Sequence, residues 1–193
     1  MTIQRCGWCS SDPLYMQYHD QEWGQVQNNE AALFELLCLE GQQAGLAWIT
    51  VLKKRSAYRQ HFFQYSIEQI AQLSDAALLA KLSDAGLIRH LGKLHAIRSN
   101  AQAWLALKQQ NIDVVIWLWS FSDSQHRMRS VEHYKALPAQ TAESQAMSKA
   151  LKKSGFKFVG PTICYAFMQA SGMVNDHENH CTFKKILPPR SLG

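Results

Sequence analysis

No apolar run in this 193-residue chain approaches the roughly 20 residues that would cross a bilayer, so no transmembrane helix is expected. The opening stretch, MTIQRCGWCSSD, has one arginine and no apolar core segment. No secretory signal is therefore expected there, and a cytoplasmic location follows as the default. Cysteine is sparse and odd in number, and five thiols in such a compartment argue against a disulfide framework. Internal repeats, low-complexity tracts and coiled-coil heptads are also missing. What is present is 47% hydrophobic content, which excludes a mainly disordered chain. The length suits one domain or a compact pair of lobes. At this size about two thirds or more of the unfolded chain's surface can be buried without disulfide support. The net charge of +5 is the electrostatic minimum for holding a phosphate backbone, although many basic proteins bind nothing acidic.

Helical periodicity dominates, so the expected class is all-α. EAALFELLCLEG (30–41) reads as a helix closed by glycine. On it Leu33, Leu36, Leu37 and Glu40 share one face, so an apolar stripe runs into a carboxylate. LAWITVLKKRSAYRQHFF (46–63) reads as a second helix. SIEQIAQL (66–73) and SDAALLAKLSDAG (74–86) each open on a serine N-cap. HLGKLHAIRSNAQAWLALKQQ (90–110) is long and amphipathic. DVVIWLWSF (113–121) is β-branched, but no partner strand lies near it, and a short helix is favoured. Further helices are expected from TAESQAMSKALKKSGF (141–156) and from PTICYAFMQASGM (161–173), the latter with proline in its first turn. Segment 122–140 is polar and has no assigned element. The tail, with its paired prolines, is expected to be irregular.

Cysteine and histidine gather at both ends of the chain. Cys6, Cys9 and His19 stand at one end and His177, His180 and Cys181 at the other. Two thiolates and two imidazoles suit a tetrahedral Zn²⁺. Spacing allows Cys6 and Cys9 with His177 and Cys181, or Cys6 and His19 with the same pair. Taken singly, each could instead be an ordinary core thiol or a solvent-facing imidazole. Four protein ligands would close the site, so its work would be to join the chain ends.

LSDAGLIRHLGKLHAI (82–97) reads as two helical stretches around a glycine-bearing turn. Such a turn can present backbone N–H groups to a DNA phosphate, with Arg89, His90 and Lys93 adding charge, or it can be an ordinary αα-turn. Lys53, Lys54, Arg55 and Arg59 form one basic run, and Lys149, Lys152, Lys153 and Lys157 another. Each could be a solvated helix face or a DNA contact. Trp8, Tyr15, Tyr18, Trp23 and Trp48 lie near these segments. Five rings beside Glu40 describe either plain core or a pocket for a flat cation. Glu40 could equally be a structural carboxylate bonded to the backbone of the next turn.

RCGW (5–8), DPLY…YHD.EWG (12–24), LFELLCLEGQQAGLAWITVLKKR (33–55), DAGLIRH.GK (84–93) and SKALKKSGFKFVGPTICYAFMQASGMVNDH (148–177) together resemble the bacterial DNA-3-methyladenine glycosylase I family. The resemblance spans about residues 5–181. It implies a single domain over 1–193, with a basic tail at 182–193, built as an all-α helix-hairpin-helix DNA glycosylase. It implies a structural zinc on Cys6, His19, His177 and Cys181. Glu40 would be the catalytic, base-contacting carboxylate, and Trp48, Tyr18, Tyr15 and Trp8 the base-binding rings. The QQAGL loop would probe the duplex through Gln43, Gly45 and Leu46, with Leu46 filling the gap left by a flipped base. Arg89, His90, Gly92 and Lys93 would complete the DNA contact. The implied activity is hydrolysis of 3-methyladenine from alkylated double-stranded DNA, leaving an abasic site and releasing the free base. The enzyme would act as a monomer. Asp113 lies too far beyond the hairpin to position water, no lysine stands out as a lyase nucleophile, and no four-cysteine cluster announces an iron–sulfur centre. The rival readings are a non-enzymatic, zinc-clipped helix-hairpin-helix DNA-binding module and a zinc hydrolase.

Overall fold

The computed structural model describes residues 2–122 and 127–184. Helix α1 (Pro13–Gln21) starts where Asp12 accepts from the Leu14 N–H and proline occupies the first turn. Helix α2 (Glu30–Gln42), capped by Asn29, is buried over most of its second half and packs on four helices that follow it in sequence. It does not stop at Gly41 as its sequence suggests. There the helix continues because the missing side chain admits the backbone of Phe158: a Cβ would lie 3.2 Å from Phe158 O. The left-handed turn comes later, at Gly45 (φ 76).

The helix expected over 46–63 is broken into α3 (Trp48–Leu52), α4 (Arg55–Tyr58) and a π-turn (Arg59–Phe63). Tertiary demands outweigh local periodicity here. The break buries Tyr58 completely, and its hydroxyl donates to Gln42 Oε1 (2.9 Å) and accepts from the Ile88 N–H (3.3 Å). Ser66 forms a capping box on the short α5 (Ile67–Ala71). Helix α6 (Asp75–Ala80) ends well before Gly86, because Asp84 accepts the Gly86 N–H (2.6 Å) and draws the chain into a turn. Helix α7 (Leu91–Gln109) follows and packs on α2, α5 and α6.

Asp113 caps α8 (Val114–Ser120), so DVVIWLWSF is a helix, as its isolation from other strands suggested. Segment 122–140 is partly placed, and 123–126 lies outside the described residues. Arg127–Met128 (β1) pairs in parallel with Val174–Asn175 (β2), the single strand pairing among the described residues of an otherwise helical fold. A 3₁₀ turn at Tyr134–Ala136 leads to α9 (Ala142–Lys153), with its Thr141 capping box, and then α10 (Pro161–Ala170). Of the tail, 185–193 lies outside the described residues. Leu33, Phe34 and Leu37 of α2 meet Trp104, Trp119, Phe156 and Phe167 in one core. Each such side chain contributes about 1.5–3 kcal/mol on burial. That core makes α2 a rigid platform, and its last turn carries Glu40.

Candidate active site and metal centre

Glu40 is 2% exposed, and its Oε2 has no hydrogen-bond partner among the described residues. The alternative of a structural carboxylate tied to the following turn is therefore not met. Burial pushes the carboxyl up to about 8, and no positive group opposes it. It faces a cavity of about 320 Å³ walled by Trp8, Tyr15, Tyr18, Trp23 and Trp48. The Tyr18 and Trp48 rings lie 5.4 Å apart, and Trp8 packs edge-on to Trp23 at 4.9 Å. The indole Nε1 atoms of Trp8 and Trp48 are also buried without partners. Among the described residues four buried side-chain polar atoms lack a partner, the fourth being Asp176 Oδ1, and the three gathered around one cavity mark a place for a ligand. The walls suit a flat ligand, with the Glu40 carboxyl and two indole N–H groups available to hydrogen-bond it.

Chain segments silent in the sequence reading complete the walls. Tyr134, Leu137, Pro138 and Ala139 line one side, and Thr162, Tyr165, Ala166 and Gln169 another. The first group belongs to a segment with no periodic signal. The second had one: these four residues sit at i, i+3, i+4 and i+7 of α10, a polar and small stripe opposite the buried Cys164, Phe167 and Met168.

The cluster at the chain ends assembles as Cys6, His19, His177 and Cys181, all buried, with ligand atoms within 4.8 Å of one another. Cys6 Sγ and Cys181 Sγ each lie 3.4 Å from His177 Nδ1, and Cys181 Sγ lies 3.6 Å from His19 Nε2. A tetrahedral ion with bonds of about 2.0–2.3 Å requires ligand–ligand edges of about 3.6 Å, so the set fits one. Its surroundings are already arranged. His19 Nδ1 meets Asp20 (2.8 Å), which Arg5 grips, and His177 Nε2 faces Trp23 O (3.2 Å). The Glu178 N–H donates to Cys6 Sγ (3.3 Å). Cys181 is held low by Cys6 and the two imidazoles, whereas Cys6 is driven up beside it. The pair thus behaves as one thiolate sharing a proton, and a bound cation would favour two thiolates. Cys9 is outside this cluster, its Sγ turned to Ser10 O (3.6 Å), which excludes the ligand set built on Cys6 and Cys9. His180 is exposed, near Arg5 O (3.3 Å).

Glu178 connects this centre to the cavity. Its carboxylate, 1% exposed, accepts from the Gly7 N–H (2.5 Å) and the Tyr134 N–H (2.7 Å). One of these segments carries Trp8 and the other is the Tyr134–Ala139 wall.

On the surface, Gly45 and Leu46 are exposed at the tip of the turn after α2, and Gln43 at its base reaches the cavity. Arg89, His90 and Gly92 are exposed at the start of α7. Lys93, expected at the DNA contact, is instead 6% exposed, and its ammonium donates inward to Gln42 O and Ala44 O (2.8 Å each), closing the end of α2. The Lys93 N–H is likewise taken by the His90 ring (3.1 Å). The first basic run is also occupied: Lys53 pairs with Asp12, Lys54 donates to Ala85 O, Arg55 grips Glu22 and Arg59 reaches Glu35. Lys149, Lys152, Lys153 and Lys157 are exposed.

These features define a helical protein with a closed thiol–imidazole cluster and an acid-walled aromatic cavity. Residues 8–185 match the methyladenine glycosylase family. An Escherichia coli relative named DNA-3-methyladenine glycosylase 1 is 50% identical over 93% of this chain and 96% of its own. A solved 3-methyladenine DNA glycosylase I from Staphylococcus aureus, described for its 3-methyladenine recognition, is 33% identical (TM-score 0.92, covering 97% of this chain and 100% of that one). A variant 3-methyladenine DNA glycosylase I solved in complex with 3-methyladenine is also 33% identical (TM-score 0.90, 95% and 99% covered). The chain belongs to the methyladenine glycosylase family.

Proposed function

We propose that this protein is a base-excision repair glycosylase that hydrolyses the N-glycosidic bond of 3-methyladenine in alkylated duplex DNA. The observation that carries the reading is the unpaired Glu40 carboxyl walled in by Trp8, Tyr18 and Trp48. Methylation at N3 makes adenine a cation and a good leaving group, so selection matters more than proton transfer. Extruding the nucleotide costs a few kcal/mol, and least at a damaged base. Ring faces favour a cation by about 0.5–2 kcal/mol over a neutral base. Glu40 accepts from the adenine amino edge, and its carboxylate form balances the cation. The C1′–N9 bond breaks with its electron pair going to N9, so the base leaves neutral. A water oxygen then bonds to C1′ and gives up its proton.

None of the described cavity-lining residues is a lysine, which supports a monofunctional enzyme without strand cleavage. Helices α6 and α7 with the intervening turn would act as the helix-hairpin-helix, through Arg89, His90 and Gly92. Gln43, Gly45 and Leu46 would enter the duplex, the exposed Leu46 filling the vacated stack. Cys6, His19, His177 and Cys181 would hold one Zn²⁺, whose contribution is to tie the arm before α1 to the segment after α10. We assign the protein to the cytoplasm as a monomer.

The test is to incubate it with methylated DNA, without added metal or cofactor, and identify freed bases by chromatography. Free 3-methyladenine and alkali-labile but unnicked DNA are expected. Absence of any free base refutes the activity. Wild-type single-turnover rates in folded Glu40→Gln and Trp48→Ala proteins refute the pocket assignment.

A further inference from the structure

The two basic runs of the sequence meet opposite fates in the structure. The first is spent on the fold: Lys53, Lys54, Arg55 and Arg59 each hold a carboxylate or a carbonyl. Lys149, Lys152, Lys153 and Lys157 are exposed and bond to no carboxylate or carbonyl among the described residues. No acid stands near them in the chain either, since residues 144–175 include no Asp or Glu. Lysines at a helix end ordinarily answer its dipole, and Lys152 and Lys153 sit in the last turn of α9. Lys149 stands before that turn and Lys157 beyond the helix, so the dipole does not account for the set.

The turn after α9 is pinned beside the elements assigned to DNA. The Lys157 N–H donates to Asn100 Oδ1 (2.7 Å), and Lys157 O accepts from Asn100 Nδ2 (3.3 Å), a two-way bond to a buried amide of α7. The next residue, Phe158, is held at φ 55, a left-handed conformation that costs strain in any residue but glycine. Its ring lies 6.2 Å from that of His90, the N-cap of α7, and its backbone passes against Gly41, near the end of α2. The Ser148 hydroxyl donates to Val159 O (2.6 Å) and ties the turn back to α9. Thr162, in the first turn of α10, lines the cavity. One short turn thus touches the start of α7 and the end of α2, and fixes Lys157 relative to the hairpin and to the probing turn over 43–46.

We propose that Lys149, Lys152, Lys153 and Lys157 form a second phosphate-binding face, which holds the backbone of duplex DNA alongside the stretch met by Arg89, His90 and Gly92. Ammonium groups on exposed, flexible stems act on phosphate oxygens as point charges and read no sequence. The face therefore serves to hold and scan the duplex, and takes no part in choosing the base. Its assignment to duplex DNA rests on the glycosylase reading above.

The test follows binding of an undamaged, fluorescein-labelled duplex by anisotropy at a series of salt concentrations. It compares wild type, the quadruple variant Lys149→Gln/Lys152→Gln/Lys153→Gln/Lys157→Gln and, as a charge control, Lys108→Gln in the last turn of α7. Circular dichroism checks folding. The quadruple variant should lower the slope of log affinity against log salt by about 2–4, since each phosphate contact contributes about 0.9, and should bind about tenfold or more weakly near physiological salt. The protein concentration giving half-maximal 3-methyladenine release should rise by the same factor. Lys108→Gln should keep the wild-type slope. A quadruple variant whose slope matches that of Lys108→Gln overturns the proposal. Should the quadruple variant not fold, Lys153→Gln and Lys157→Gln decide singly, each expected to lower the slope by about one. A wild type that frees no base, yet loses slope in these variants, sinks the glycosylase reading and keeps the phosphate face.

Discussion

The Cys/His centre and the Glu40 cavity share a wall, since Trp8 lines the cavity and its ring lies 5.1 Å from that of His19. Yet they are built on opposite terms. Around the centre, both histidines have their outer nitrogens engaged and Cys6 receives a backbone N–H. Around the cavity, Glu40, Trp8 and Trp48 each keep a buried polar atom unpaired. The first arrangement needs no transient visitor, which accords with the fold-joining role proposed for it. The second holds unmet hydrogen-bonding capacity, each group costing about 1–3 kcal/mol until a ligand arrives, and serves binding. Burial alone does not separate a structural polar site from a functional one; satisfaction does.

The harshest break of this comparison is to deny the centre the metal proposed for it, or to remove a thiol. Strong chelation, or Cys181→Ser, should lower the melting temperature by about 10 °C or more, because binding at a structural site is folding free energy. A scanning calorimetry trace that barely moves would contradict the assignment of the centre to the fold.

Glu40→Gln should do the reverse. The folded carboxyl titrates near 8 and the unfolded one near 4.5. Between those values the native state holds a proton the unfolded state has lost, so wild-type stability falls as pH rises. Glutamine escapes this, and at pH 7 the variant should be more stable by about 3 kcal/mol, with the gap closing below pH 4.5. Urea titrations at pH 4.5 and 7 give the measurement, and equal gains at both would deny the burial effect.

Smaller is the effect expected at the joint between the two regions. Glu178→Gln places an amide against one of two backbone N–H donors, and should destabilise by about 1–3 kcal/mol without loss of the metal-binding capacity proposed for the cluster. Weaker 3-methyladenine binding is expected with it, as the Trp8 and Tyr134 walls loosen. Full binding in a variant destabilised by this amount would separate the joint from the pocket.

The smallest concerns the surface. Arg89→Ala should reduce the slope of log affinity against log salt for duplex DNA by about one. Lys93→Met should leave that slope unchanged and destabilise the fold instead, since its ammonium closes the end of α2. Equal slopes for the two variants would return Lys93 to the DNA face.

Much of the site was legible in the residues. Glu40 ends an apolar stripe, the rings cluster beside it, and Cys6, His19, His177 and Cys181 are the donor types a closed metal site uses. Resemblance selected His19 over Cys9, and the fold agrees because His19 lies on the buried face of α1. The Tyr134–Ala139 wall was not legible, because a segment held by Glu178 and by Asn179 contacts to Val131 carries no periodicity of its own. The inward course of Lys93 was not legible for a related reason: a lysine in a basic stretch looks solvent-facing until its long stem is seen crossing to two carbonyls.

By itself, the order of residues determined the helices, their caps and the chemistry on offer, because those depend on neighbours within a few positions. Only tertiary structure decided which groups end unpaired. That property depends on what distant segments bring, or fail to bring, within about 3 Å of a buried atom, and no local pattern records it.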